Sequence, residues 1–114
     1  MKALTFFKAL ADDTRLRSLL LIDAESELCV CELMAALNES QPKVSRHLAQ
    51  LRKSELLVDR RQGQWVFYRV NPQLPIWASE MLTTLAKKQH ELIADNLAQL
   101  KLMGERPERT QQCC

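Results

Sequence analysis

The fold turns on residues 40–70, SQPKVSRHLAQLRKSELLVDRRQGQWVFYRV, because the spacing of apolar residues changes once within them. Ser40 supplies a capping hydroxyl and Pro42 falls in the first turn, a pairing that marks a helix start. Val44, Leu48 and Leu51 then recur at i, i+4 and i+7, one inward face of a helix. After that helix the period drops to two. ELLVDRR and QWVFYRV are β-prone runs of alternating character, and the QG between them predicts a hairpin with Gly63 at its turn. Upstream, CELMAAL predicts a short helix ending near Asn38. Short helix, tight turn, second helix and basic hairpin together make a winged helix-turn-helix.

Outward from this unit the chain stays helical. LTFFKAL predicts a first helix carrying Leu4, Phe7 and Leu10, and DDTRLRSLLLI a second with Leu16, Leu19 and Leu20 on its stripe and Asp12 or Asp13 as N-cap. Asn71 and Pro72 close the hairpin, and PIWASEMLTTLAKKQHELIADNLAQLKLM predicts one long last helix, ended by Gly104 and Pro107. The expected fold is mainly α with a small β-hairpin, in one domain over residues 1–103, followed by a flexible tail over 104–114. The first and last helices carry apolar stripes with no further partner in so small a chain, which predicts an isologous homodimer.

Composition narrows the function. A chain of 114 residues fits one small domain. It shows no basic-plus-apolar leader and no apolar run near the roughly 20 residues a membrane span needs, so a cytoplasmic protein without membrane contact is expected. The net charge of +2 is unevenly placed: residues 41–70 hold seven basic side chains against two acidic ones, whereas the remainder holds nine against twelve. That asymmetry points to an anionic partner, with nucleic acid first. An enzyme is not expected, for there is no glycine-rich phosphate loop and no histidine beyond His47 and His90 to serve a nucleophile.

The helix of residues 41–53 turns Lys43, Ser45, Arg46, Ala49 and Gln50 outward. Small residues there permit close approach, and Arg46 and Gln50 can hydrogen-bond base edges in a major groove. Ser40 and Gln41 stand at the helix N-terminus, where backbone N–H groups meet phosphate, and Gln41 can reach a base or a phosphate. His47 borders the packed face and reads as structural. Arg60 and Arg61 on the wing suit phosphate contacts.

Four cysteines fall in two close pairs, Cys29/Cys31 in ELCVCEL and Cys113/Cys114 at the end of the chain. This is not the dispersed framework of a secreted mini-protein. Two soft thiolates one residue apart can converge on a thiophilic ion where the backbone turns into a helix, and the helix N-terminus itself favours thiolate. The alternative is that both are small buried hydrophobes.

LADDTRLRSLLLI, ELCVCEL and residues 40–70 together resemble the ArsR/SmtB family of metal-responsive repressors, over about Phe6 to Leu85. CVC at the start of the third helix resembles the arsenic-sensing branch. The resemblance implies a homodimeric repressor of an arsenic-resistance operon. It would hold operator double-stranded DNA when unliganded, keep no permanent cofactor, and leave the operator when As(III) or Sb(III), as arsenite or antimonite, binds Cys29 and Cys31. The branch usually continues CVCDLC, whereas here the third thiol is replaced by Met34, a weak ligand for trivalent arsenic. A solvent or small-thiol ligand, or Cys113 and Cys114, would then complete the site. Two rival readings stand beside this one: a redox-responsive repressor acting through its thiols, and a sensor of another thiophilic metal. A zinc or cobalt sensor of the family would place its ligands on the last helix, which offers only His90, Glu91 and Asp95.

Overall fold

A computed structural model describes the backbone of residues 1–113 and the side chains of residues 1–111. The helices are α1 (Ala3–Leu10), α2 (Asp13–Glu25), α3 (Val30–Leu37), α4 (Gln41–Lys53), α5 (Ile76–Lys88), α6 (Ala94–Leu102) and α7 (Glu108–Cys113). The strands are β1 (Leu28–Cys29), β2 (Leu57–Gln62) and β3 (Trp65–Val70). With α3 and α4 as the helix pair and β2–β3 as the wing, the expected winged helix-turn-helix is present.

Local chemistry sets the boundaries. Asp12, extended, is the N-cap of α2 and accepts from the Arg15 N–H at 3.0 Å. That hydrogen bond is the main reason its carboxyl lies below the usual aspartate range. Asn38 ends α3 in the left-handed conformation that asparagine tolerates. Ser40 is the N-cap of α4 by backbone, but its hydroxyl makes no capping hydrogen bond; Pro42, in the first turn, preorganises that turn instead. Pairs from Leu57↔Val70 to Gln62↔Trp65 leave Gly63 and Gln64 as the wing turn, and Gly63 takes the positive φ of +62° that a two-residue hairpin requires.

Phe6, Leu19, Leu20, Leu28, Leu33, Val44, Leu48, Leu51 and Leu57 are buried in one core shared by all the layers. Each such leucine contributes roughly 1.5–3 kcal/mol relative to leaving it in water. Val44, Leu48 and Leu51 fix which face of α4 looks outward. On α1 the buried residues are Phe6, Ala9 and Leu10, whereas Leu4 and Phe7 project into solvent.

Three features depart from the sequence expectation. First, the sheet has three strands in the order β1-β3-β2, with Leu28 opposite Tyr68 and Cys29 opposite Phe67. Two residues are too few to display a period of two. Second, the long last helix is divided by a 3-10 turn at His90–Ile93. There the Arg17 guanidinium reaches the Leu92 carbonyl and the Asn96 side chain, and Asn96 donates to the Ala36 carbonyl at 2.9 Å. Tertiary hydrogen bonds, not a glycine or proline, mark this break. Third, residues read as a flexible tail turn back toward α3. Arg109 is buried there, and α7 packs against α3.

Candidate sensor and nucleic-acid sites

Cys29 closes β1 and is also the N-cap of α3, and Cys31 follows in the first turn of that helix. A capping box fixes the junction: the Glu32 carboxylate accepts from the Cys29 N–H at 2.9 Å, and the Cys29 sulfur accepts from the backbone of Glu32. Cys29 is buried, and Cys31 is half-buried and takes part in a disulfide. Both border a cavity of about 370 Å³ whose other walls are Val30, Met34, Gln41, Gln64, Trp65 and Val66. One space is therefore shared by the thiol segment, the first residue of α4 and the wing. Among the described residues no three His, Cys, Asp or Glu side chains gather into a metal-holding group, so His90, Glu91 and Asp95 do not form one. Cys114 and the side chain of Cys113 lie outside the described residues.

Beneath the thiols runs an ionic network that sequence reasoning missed. Glu32 is wholly buried and pairs with Arg106 at 2.5 Å and Arg109 at 2.6 Å. Burial alone would raise its carboxyl pKa. Hydrogen bonds from Arg106 and the Cys29 N–H, with the charges of Arg106 and Arg109, outweigh burial and hold it below the usual glutamate range. Glu27 bridges Arg106, at 3.4 Å, to the wing residue Arg60, at 2.5 and 2.9 Å. The hydrogen bond from Arg60 is the largest cause of a lowered Glu27 pKa. Arg60 and Arg106 both lie over the Phe67 ring, at 4.7 and 4.8 Å. The only sequence sign was the pair of glutamates flanking CVC and the two arginines of ERPER.

On α4 the outward residues stand where the helical period puts them: Gln41, Arg46 and Gln50 are exposed, and Lys43 and Ser45 half-exposed. Ser40 is exposed beside them. Lys43 is paired with Glu39 at 2.9 Å. Gln50 accepts from Arg15 at 2.9 Å, and Arg15 in turn donates to the Ala9 carbonyl at 2.7 Å. This α2 arginine, also absent from the sequence reading, braces the middle of α4. His47 is buried, 3.4 Å from Arg15 and 3.8 Å from Asp12, the structural role its position implied. On the wing Arg61 is exposed, whereas Arg60 is held by Glu27.

A helix pair with an open basic second helix, a wing, and a thiol pocket touching both define a winged-helix regulator. Residues 12–58 match the family described as "Bacterial regulatory protein, arsR family". The chain is 58% identical over 108 residues to the arsenic resistance transcriptional regulator ArsR2 of Pseudomonas putida, covering 95% of this chain and 94% of that one. It is 49% identical over 102 residues to the arsenical resistance operon repressor of Escherichia coli, covering 87% of each. Among solved structures, the AntR antimony-specific transcriptional repressor matches with a TM-score of 0.63 and 32% identity over 77% of each chain. The chain belongs to the ArsR family, a family of transcriptional regulators and not of enzymes.

Proposed function

We propose that the chain is a cytoplasmic repressor of arsenic-resistance genes that leaves operator DNA when trivalent arsenic or antimony engages Cys29 and Cys31. One observation carries the reading: the thiol segment, Gln41 of α4 and wing residues Gln64–Val66 wall a single cavity. Two thiols are the donors that thiophilic trivalent ions take. The Cys29 sulfur is also an acceptor in the box that caps α3. Committing it to another bond removes that cap from a helix packed against α4. The experiment is an operator-release titration under reducing conditions with arsenite, antimonite and zinc. Release by the first two at concentrations where zinc does nothing is expected, and equal release by zinc would refute the reading.

The disulfide at Cys31 favours a second reading, release by oxidation. Release by peroxide without metalloid, reversed by dithiothreitol, would establish it.

Ser40, Gln41, Lys43, Ser45, Arg46 and Gln50 are proposed to enter the major groove, with Arg60 and Arg61 on phosphates. Arg61→Ala should weaken binding to all DNA sequences alike and lower the slope of log affinity on log salt by about one. Arg46→Ala should cost about 1–3 kcal/mol and alter which operator bases matter, as read by a binding-site selection. Arg60 has to exchange Glu27 for phosphate, so Arg60→Ala should cost less than Arg61→Ala.

The proposed homodimer uses the apolar surface of α1 and α5. Leu4 is 64% exposed and Ile76 77%, with Phe7, Trp77 and Met81 also open and Trp77 against Phe6 at 5.3 Å. Contiguous exposed apolar residues of this size mark an association face. Sedimentation of the intact chain at micromolar concentration should give a dimer, and Ile76→Glu a monomer.

A further inference from the structure

Arg15 and Gln50 meet between α2 and α4, and their pairing decides which end of the Gln50 amide can face a base. The guanidinium is anchored from behind: its Nε–H donates to the Ala9 carbonyl at 2.7 Å and an Nη2–H to the Lys8 carbonyl at 3.3 Å, both in the last turn of α1. From there an Nη1–H donates to the Gln50 Oε1 at 2.9 Å. A guanidinium carries donors and no acceptor, so only one orientation of the amide suits it. Oxygen must face Arg15, because a flipped amide would set N–H against N–H. The NH2 end is what remains, on an exposed side chain one turn after Arg46 on the same face of α4.

We infer, resting on the proposed entry of α4 into the major groove, that Arg15 is a positioning residue for sequence recognition: it holds Gln50 as a donor-only reader that selects guanine and rejects adenine. Adenine presents an acceptor, N7, beside a donor, the N6 amino group, and glutamine reads the two with its nitrogen and oxygen together. With its oxygen turned toward α2, Gln50 does not offer that pair. Guanine presents two acceptors side by side, N7 and O6, which the two hydrogens of one NH2 group can meet. Thymine offers the single acceptor O4, and cytosine an amino donor. The charge of Arg15 also polarises the amide and strengthens its N–H groups as donors.

The test selects binding sites for the intact chain from a pool of randomised double-stranded DNA, in parallel with Gln50→Ala, Arg15→Lys and Arg46→Ala. One base pair should lose its preference in Gln50→Ala. In the unaltered chain that pair should be G·C by about tenfold over A·T, the discrimination of one bidentate contact. Replacing its guanine by 7-deazaguanine, which has C–H in place of N7, should weaken binding of the unaltered chain about fivefold and that of Gln50→Ala not at all. Arg15→Lys keeps the charge and loses the planar fork, so the amide is free to turn and the preference at that pair alone should fall to about twofold. If Arg15→Lys weakened all sites equally and left the preference intact, its role would be merely structural and the proposal overturned. An A·T preference at the Gln50-dependent pair, or indifference to 7-deazaguanine, would overturn it as well, and both are read with Arg15 untouched. If Gln50→Ala changed no pair while Arg46→Ala changed one, the proposal would fall and the groove reading stand. If neither changed any pair, the groove reading itself would fall.

Discussion

Cys29→Ser and Cys31→Ser should each hold operator DNA with affinity close to that of the unaltered chain and stay bound at arsenite concentrations that strip the unaltered chain off completely. The loss is expected to be large because ligand release is a differential-affinity effect. Shifting an occupied operator from 99% bound to 1% bound takes about 10⁴-fold tighter ligand binding to the DNA-incompetent state. A single remaining sulfur cannot chelate, and with the chelate goes nearly all of that difference. Serine keeps an acceptor for the α3 cap at position 29, so DNA affinity should survive. Fluorescence anisotropy of labelled operator, titrated with arsenite, reads both quantities. Replacing Cys113 and Cys114 should change the release concentration little. Release retained in the Cys29→Ser/Cys31→Ser chain and lost in the Cys113→Ser/Cys114→Ser chain would move the sensor to the C-terminus.

Glu32→Ala should cost about 3–5 kcal/mol of folding stability. It leaves Arg106 and the buried Arg109 facing an empty position and removes the acceptor for the Cys29 N–H. With a urea dependence of roughly 1–3 kcal/mol per molar for a small domain, the unfolding midpoint should fall by about 2 M. Glu32→Gln keeps an acceptor for the Cys29 N–H and should cost less. The same carboxylate gives the fold a pH dependence of known sign. Its folded pKa lies below the ordinary 4.5. Its contribution is therefore fully present above that value and lost as pH falls through the lower folded one. Urea midpoints of the unaltered chain should drop below about pH 4.5, and Glu32→Gln should show a shallower drop. An unchanged midpoint in Glu32→Ala at neutral pH would mean that the arginines find water as good a partner as this glutamate.

The helix pair and the wing were legible because their signals are local. Val44, Leu48 and Leu51 state a helical face, and Gly63 between two alternating runs states a hairpin. His47 could be assigned to the interior from its place beside that face. What stayed hidden depends on partners distant in sequence. Nothing near His90 announces that Arg17, more than seventy positions earlier, will occupy the Leu92 carbonyl. ERPERTQQCC has the composition of a tail, and its arginines dock because Glu32 waits for them in the interior. In ELCVCEL the cysteines drew the functional reading, while nothing local to the glutamates on either side shows that they tie the segment to the wing and the C-terminal residues.

The pairing of Cys29 with Phe67 across β1 and β3 has a kinetic corollary. On the metalloid reading one ligand residue, Cys29, and the hairpin proposed to touch DNA belong to one hydrogen-bonded sheet, so no relay through the domain separates the chemical event from the mechanical one. Local rearrangements of a cap and a strand edge run in microseconds to milliseconds. Sulfur exchange at the metalloid is then the slow step, and the speed of derepression should rise in proportion to inducer concentration until DNA dissociation itself becomes limiting.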